Sequence, residues 1–298
     1  MTLIARTLTA REIDSQPATW ARALAGSTER ARELLALPGA RVLVIGCGTS
    51  AYLAESFAVL RERAGLGETD AAYASEPWPW RGYDAVIALS RSGTTTEVVA
   101  ALEALPEGVR VIAVTGVADS PVAERADDVL LLDFADEESV VQTRFPTTFL
   151  VLARAALGED VSGLPAQAEA ALDAPVGIDV AAFTHFVYLG SGWTYGLAQE
   201  AALKIREAAQ AWAESYPQLD YRHGPLAVAD TRSLVWIFAE ADAGLIGDIE
   251  ATGASVIAGT HDPLVELVLA QRLAVAIAEQ RGLDPDRPRN LTRSIVLS

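Results

Sequence analysis

Short runs of Val, Ile and Leu recur along this chain, each followed by a longer stretch with helical spacing. Residues 42–45, 85–89, 111–114 and 129–132 are almost uniformly apolar and four or five residues long, as expected of strands buried on both faces of a parallel sheet. Parallel strands need long crossovers, and the gaps supply them. One is a helix over 95–105, which Thr94 or Thr95 can cap and Pro106 follows. The alternation then restarts, with strands at 186–189, 234–238 and 255–257 and helices at 196–212 and 263–281. The expected fold class is α/β: tandem doubly wound parallel-sheet units with helices on both faces.

The two halves share their first strand-to-helix turn. A shift of 144 residues lays Ile45-Gly46-Cys47-Gly48 on Leu189-Gly190-Ser191-Gly192, and Leu53-Ala54 on Leu197-Ala198. Such turns are common in α/β folds, so the match suggests duplication without proving it. The expected organisation is a lead-in helix within residues 1–36, a first unit at 37–164, a connector at 165–180, and a second unit with the C-terminal tail at 181–298. The span 240–261 is short for a complete repeat, so the second unit is expected to be abbreviated. The lead-in holds Trp20 and a helix after Pro17, and the connector holds Pro175 and Gly177.

Charge narrows the partners. With 23 basic and 40 acidic residues among 298, the net charge of −17 disfavours nucleic acid and anionic membrane surfaces. No apolar run approaches the roughly 18 residues of a membrane span. One cysteine, Cys47, forms no intrachain disulfide, and with no leader at the start a cytoplasmic location is expected. Of the basic residues all but one are arginine, so any amine chemistry falls to Lys204.

Two turns have the composition of an anion site. Gly46-Cys47-Gly48-Thr49-Ser50 follows the first strand and opens a helix, and Ser90-Arg91-Ser92-Gly93-Thr94-Thr95-Thr96 follows a later strand with five hydroxyls in seven residues. Helix N-termini at the carboxyl edge of such a sheet offer amide donors to an anion. Neither turn matches a dinucleotide fingerprint or a P-loop, which leaves a small phosphate ester. Ser and Thr also cap helices with no ligand at all.

These residues resemble the sugar isomerase, or SIS, domain family. The first half carries Gly-Cys-Gly-Thr-Ser and Ser-x-Ser-Gly-x-Thr, with Ala74-Ser75-Glu76 and Thr147-Thr148 in matching places. The second half is similar to the isomerase half of glucosamine-6-phosphate synthase: residues 202–207 (ALKIRE), 213–216 (AESY), 222–227 (RHGPLA) and the tail 288–291 (PRNL).

The resemblance implies a flavodoxin-like fold, no cofactor or metal, and a phosphorylated sugar or amino sugar as ligand. It implies phosphate binding by Ser90, Arg91, Ser92 and Thr95, with Gly48, Thr49 and Ser50 contacting sugar or phosphate from the first turn. Glu207 matches the carboxylate that moves a proton between C1 and C2, with Lys204 one helical turn before it. His223 matches a ring-opening histidine contributed by a neighbouring subunit, which implies a homodimer with a shared site. The chemistry agrees: aldose–ketose conversion needs a carboxylate base and a proton shuttle, and a nearby cation stabilises the enediolate. An i, i+3 Lys–Glu pair is by itself more often a surface pair.

Two departures matter. Arg293 stands where the family keeps an imine-forming lysine, and a guanidinium cannot act as that amine, although it can bind substrate oxygens. Arg91 replaces a glutamine in the phosphate loop. No glutaminase segment accompanies these halves, so glutamine-dependent amidotransfer is not expected. Three activities follow in order: isomerisation of an amino-sugar phosphate with ammonia release, of the glucosamine-6-phosphate deaminase type; isomerisation without deamination; and sugar-phosphate sensing without catalysis.

Overall fold

The computed structural model describes residues 6–238 and 240–297. Three helices open the described residues, α1 (Leu8–Asp14), α2 (Gln16–Gly26) and α3 (Thr28–Leu35). The single lead-in helix expected after Pro17 is thus divided, and Pro17 lies within the first turn of α2, where a missing N–H costs nothing. There follow β1 (Val42–Gly46), α4 (Thr49–Arg63), β2 (Thr69–Tyr73), β3 (Ala85–Leu89), α5 (Thr96–Glu103), β4 (Arg110–Thr115), α6 (Pro121–Glu124), β5 (Asp128–Leu131), α7 (Arg144–Ala156) and α8 (Leu164–Asp173). The alternation restarts with β6 (His185–Gly190), α9 (Thr194–Ala209), β7 (Trp212–Pro217), β8 (Ser233–Ile237), α10 (Ala243–Ala251), β9 (Ser255–Ala258) and α11 (Pro263–Gln280).

Two all-parallel sheets result, with strand orders β2-β1-β3-β4-β5 and β7-β6-β8-β9. The tandem doubly wound α/β architecture expected from the apolar runs is present, and the second sheet has four strands against five. The central strands β1, β3 and β8 are buried along their whole length, which is why they read as unbroken apolar runs. The outer strands β2 and β7 are only partly buried. Their sequences, TDAAY and WAESYP, carry no such signal, and neither strand was expected. The helix expected over 196–212 is correspondingly shorter. Gln210 adopts a left-handed conformation (φ 48°) and ends α9 without a glycine or proline to announce it, and Trp212 opens β7.

The chain divides into two compact units. Among the described residues, the first-sheet unit comprises 16–138, 144–165 and 292–297, and the second-sheet unit comprises those within 6–15, 139–143 and 166–291. In the first, Trp20 is fully buried and its indole donates to Thr147 Oγ1 at 3.0 Å, while Thr147 donates to Gln16 Oε1 at 2.6 Å. Arg61, also fully buried, donates to the carbonyls of Ala36, Leu37, Ala40 and Leu66 and to Thr69 Oγ1. One guanidinium thereby satisfies the turns that lead into β1 and β2. Trp78 packs on the core of this sheet, and the exposed Trp80 meets Tyr83 edge-on at 5.2 Å.

In the second, Glu266 is buried and accepts from the amides of Thr260 and His261 and from the indole of Trp236. His261 Nδ1 lies 2.9 Å from the same carboxylate, and His185 bridges Ser233 and Glu214. Both histidines hold the fold. In each sheet the strand order reverses beside the first strand, between β1 and β3 and between β6 and β8. At such switch points the following loops diverge and open a crevice at the carboxyl edge.

Candidate functional site

The turns after β1 and β6 are built alike. A Cβ on Gly46 would lie 2.7 Å from the Ser50 backbone, and one on Gly190 would lie 2.3 Å from the Thr194 carbonyl oxygen. Each helix starts so close to its strand that only glycine fits. Gly48 (φ 54°) and Gly192 (φ 57°) then turn the chain through the left-handed region. After Gly48 come Thr49 and Ser50, both buried at the first turn of α4.

The second hydroxyl turn lies one strand over, between β3 and α5. Ser90, Arg91 and Ser92 are buried. Gly93 (φ 65°) is packed so tightly that a Cβ would meet Ser120 Oγ at 2.1 Å. Ser90 Oγ accepts from the Gly93 amide at 3.2 Å and lies 3.5 Å from Thr95 Oγ1, so two of the expected phosphate ligands face one another. Ser92 is turned instead toward Ser294 Oγ at 3.1 Å. Arg91 donates through Nη2 to the Arg293 carbonyl at 2.6 Å and lies 4.0 Å from the buried Glu137 carboxylate. The side chain of Arg293 is paired through Nη2 with both oxygens of Asp136, at 2.5 and 2.6 Å.

In the second-sheet unit, α9 carries three charges on one face. Lys204 is buried and reaches Glu200 Oε1 at 3.2 Å and Glu207 Oε2 at 2.6 Å. Glu200 has no exposed surface, whereas Glu207 keeps 19% of its side chain accessible. Burial alone would lower the ammonium's pKa, but the charges and hydrogen bonds of Glu200 and Glu207 outweigh it and hold Lys204 above its ordinary value. The lysine is thus a fixed cation, and Glu207 is the member of the set that a small molecule can reach. Glu200 was missed in the sequence, although its spacing of four from Lys204 in an alanine-rich helix was available as a signal.

Gln218 was also missed. It is buried at the carboxyl edge, donates to Ser191 Oγ and the Glu240 carbonyl, and accepts from the Asp242 amide at 2.7 Å. It ties together the loops after β6, β7 and β8. His223 follows the short helical turn Leu219–Arg222 and is exposed. Its neighbour Arg222 binds Asp248 and Asp242, and Gly224 (φ 130°) lets the chain turn behind it.

The profile of the SIS domain matches residues 37–157, the stretch that carries both hydroxyl turns. This stretch of the chain is a SIS domain. It is 29% identical to an isomerizing glutamine–fructose-6-phosphate aminotransferase of Pyrobaculum aerophilum, over 96% of this chain and 57% of that protein. A relative of the same description from Aeropyrum pernix is 31% identical over the same shares. The chain therefore spans between half and three-fifths of the length of such curated relatives. Among solved structures, a glucosamine-6-phosphate deaminase from Thermotoga maritima matches with a TM-score of 0.87 at 27% identity, covering 98% of this SIS chain and all of that one. The C-terminal domain of glucosamine-fructose-6-phosphate aminotransferase from Francisella tularensis shares the fold, with a TM-score of 0.82 at 20% identity over 96% of this chain and 99% of that one. Among the described residues no helix is long and apolar enough to cross a membrane.

Proposed function

We propose that this SIS protein isomerises an amino-sugar phosphate and releases ammonia, as a glucosamine-6-phosphate deaminase does. The observation that carries the proposal is the Glu200–Lys204–Glu207 set on α9, with only Glu207 accessible. Such an arrangement suits a carboxylate base held beside a permanent cation. The likeness to the Thermotoga deaminase along nearly the whole chain supports it.

In the proposed reaction, Glu207 takes the C2 proton of the open-chain amino aldose and returns it to C1. The C2 amine becomes an imine as the aldehyde becomes an alcohol, and water adds to the imine carbon and expels ammonia. One amino sugar and one water give one ketose and one ammonia. Lys204 stabilises charge on the enediolate-like intermediate and forms no imine itself, because two carboxylates keep it protonated. Ser90 and Thr95, with Ser92, Arg91, Gly48, Thr49 and Ser50 around them, hold the phosphoryl group, and His223 assists ring opening from a neighbouring subunit of a cytoplasmic homodimer.

The test is a panel of sugar and amino-sugar phosphates read for both ammonia and ketose. Equal amounts of the two from glucosamine-6-phosphate support the proposal. Ketose from a neutral sugar phosphate without ammonia favours simple isomerisation, and a rise in melting temperature with neither product favours sensing.

A further inference from the structure

Ser92 lies in a loop with the composition of a phosphate site, and its hydroxyl also meets the C-terminal tail. It donates to Ser294 Oγ at 3.1 Å and accepts from the amide and the hydroxyl of Thr94, at 3.3 and 3.1 Å. Thr94 Oγ1 also reaches Ser294 Oγ at 2.8 Å. Alongside, Arg91 Nη2 donates to the Arg293 carbonyl, the Thr96 amide donates to the Ile295 carbonyl at 3.2 Å, and the Leu297 amide donates to Thr96 Oγ1 at 2.9 Å. Residues 293–297 thus lie along one side of the loop and use its donors. Ser90 Oγ and Thr95 Oγ1 take no part in this set.

The tail is fastened at one point. Arg293 Nη2 binds both Asp136 oxygens, and Nε donates to the Glu137 carbonyl at 2.9 Å. Asp136 is itself braced, since a Cβ on Gly116 would lie 3.0 Å from the Asp136 Cβ. The Glu137 carboxylate accepts from the amides of Arg144 and Phe145 at the start of α7. A guanidinium can use two of its nitrogens on different acceptors, here Nη2 on Asp136 and Nε on the Glu137 carbonyl, as a single ammonium nitrogen does not. All of these residues belong to the first-sheet unit.

We propose that Arg293 and Asp136 are positioning residues. Their ion pair seats residues 292–297 against the loop 90–96, and the seated tail holds Ser90, Thr95 and the loop amides ready for a phosphoryl group. A loop fixed before binding loses less conformational freedom on binding, so the latch acts on affinity. The proposal rests on the reading of this loop as the phosphate site.

The test measures the dissociation constants of inorganic phosphate and glucosamine-6-phosphate for the full chain by calorimetry. Arg293→Ala and Asp136→Ala are each expected to weaken both by about five- to tenfold, with the double variant no weaker than either single one. The exchanged pair Arg293→Asp with Asp136→Arg is expected to recover part of the loss, which a general loss of stability would not do. Where turnover is measurable, KM rises and kcat is kept. Unchanged binding in the single variants, with binding abolished by Ser90→Ala plus Thr95→Ala, overturns the latch and leaves the phosphate site standing. Tighter binding in the single variants also overturns it, because the tail would then compete with phosphate. No phosphate binding to the unaltered protein, or binding indifferent to Ser90→Ala plus Thr95→Ala, overturns both readings.

Discussion

The ammonium of Lys204 lies 2.6 Å from Glu207 Oε2, and the same nitrogen is 3.2 Å from Glu200 Oε1. A buried cation shared by two carboxylates on one helix face serves to fix charge, since removing the lysine leaves both carboxylates, one of them fully buried, uncompensated.

Replacing the lysine tests that arrangement. Lys204→Met is expected to destabilise the fold by about 3–5 kcal/mol at pH 8, because Glu200 is then buried without its cation. Adding Glu200→Gln should recover a large share. The lysine's pKa is raised on folding, so its contribution is complete below the unfolded value of about 10.4 and fades as pH climbs through the folded value. Urea midpoints measured from pH 8 to 12 should therefore show the gap between wild type and Lys204→Met closing only above about pH 10.5.

The hydroxyl loop depends on Gly93. With φ at 65° and a Cβ position 2.1 Å from Ser120 Oγ, Gly93→Ala meets both backbone strain and overpacking. A loss of roughly 2–4 kcal/mol is expected from the two together, with sugar-phosphate affinity falling as well. Combining it with Ser120→Gly removes the clash and leaves the strain, so thermal melts of the pair should show partial recovery.

Cys47 should be chemically quiet. Burial, and secondarily the charge of Glu97, pushes its thiol up to about 11, leaving a thiolate fraction of about 0.001 at pH 8. Alkylation of the native protein by iodoacetamide should be slow at pH 8 and reach half its limiting rate near pH 11. Glu97→Gln should move that midpoint downward. A midpoint near the ordinary value for a thiol would contradict the described surroundings of this residue.

The central strands were legible because burial on both faces leaves no room for polar residues, and the glycines at 46, 48, 190 and 192 were legible because the turn geometry admits nothing else. β2 and β7 were not, since TDAAY and WAESYP lack the run of Val, Ile and Leu that the other two outer strands, β5 and β9, keep. The same limit applies at the site. Lys204 and Glu207 could be paired from their spacing, but the burial of Glu200 depends on how α9 packs. Nothing in the local sequence tells Ser92, held by the tail, from Ser90, which is not. The two lie in one hydroxyl-rich turn and differ only through Ser294, about two hundred residues away. Arg293 was expected to face a substrate because of where it stands in the tail, and its partner Asp136 becomes visible only once the chain is folded.

The most direct test of the account is the reaction of glucosamine-6-phosphate in deuterium oxide, with wild type and Glu207→Gln compared for ammonia release and for deuterium at C1 of the ketose. The account predicts that wild type releases ammonia and forms ketose labelled at C1 whenever the Glu207 proton exchanges with solvent before its return. It predicts that Glu207→Gln, correctly folded and still binding phosphate, loses both by about a thousandfold. Ammonia release undiminished in Glu207→Gln would contradict it.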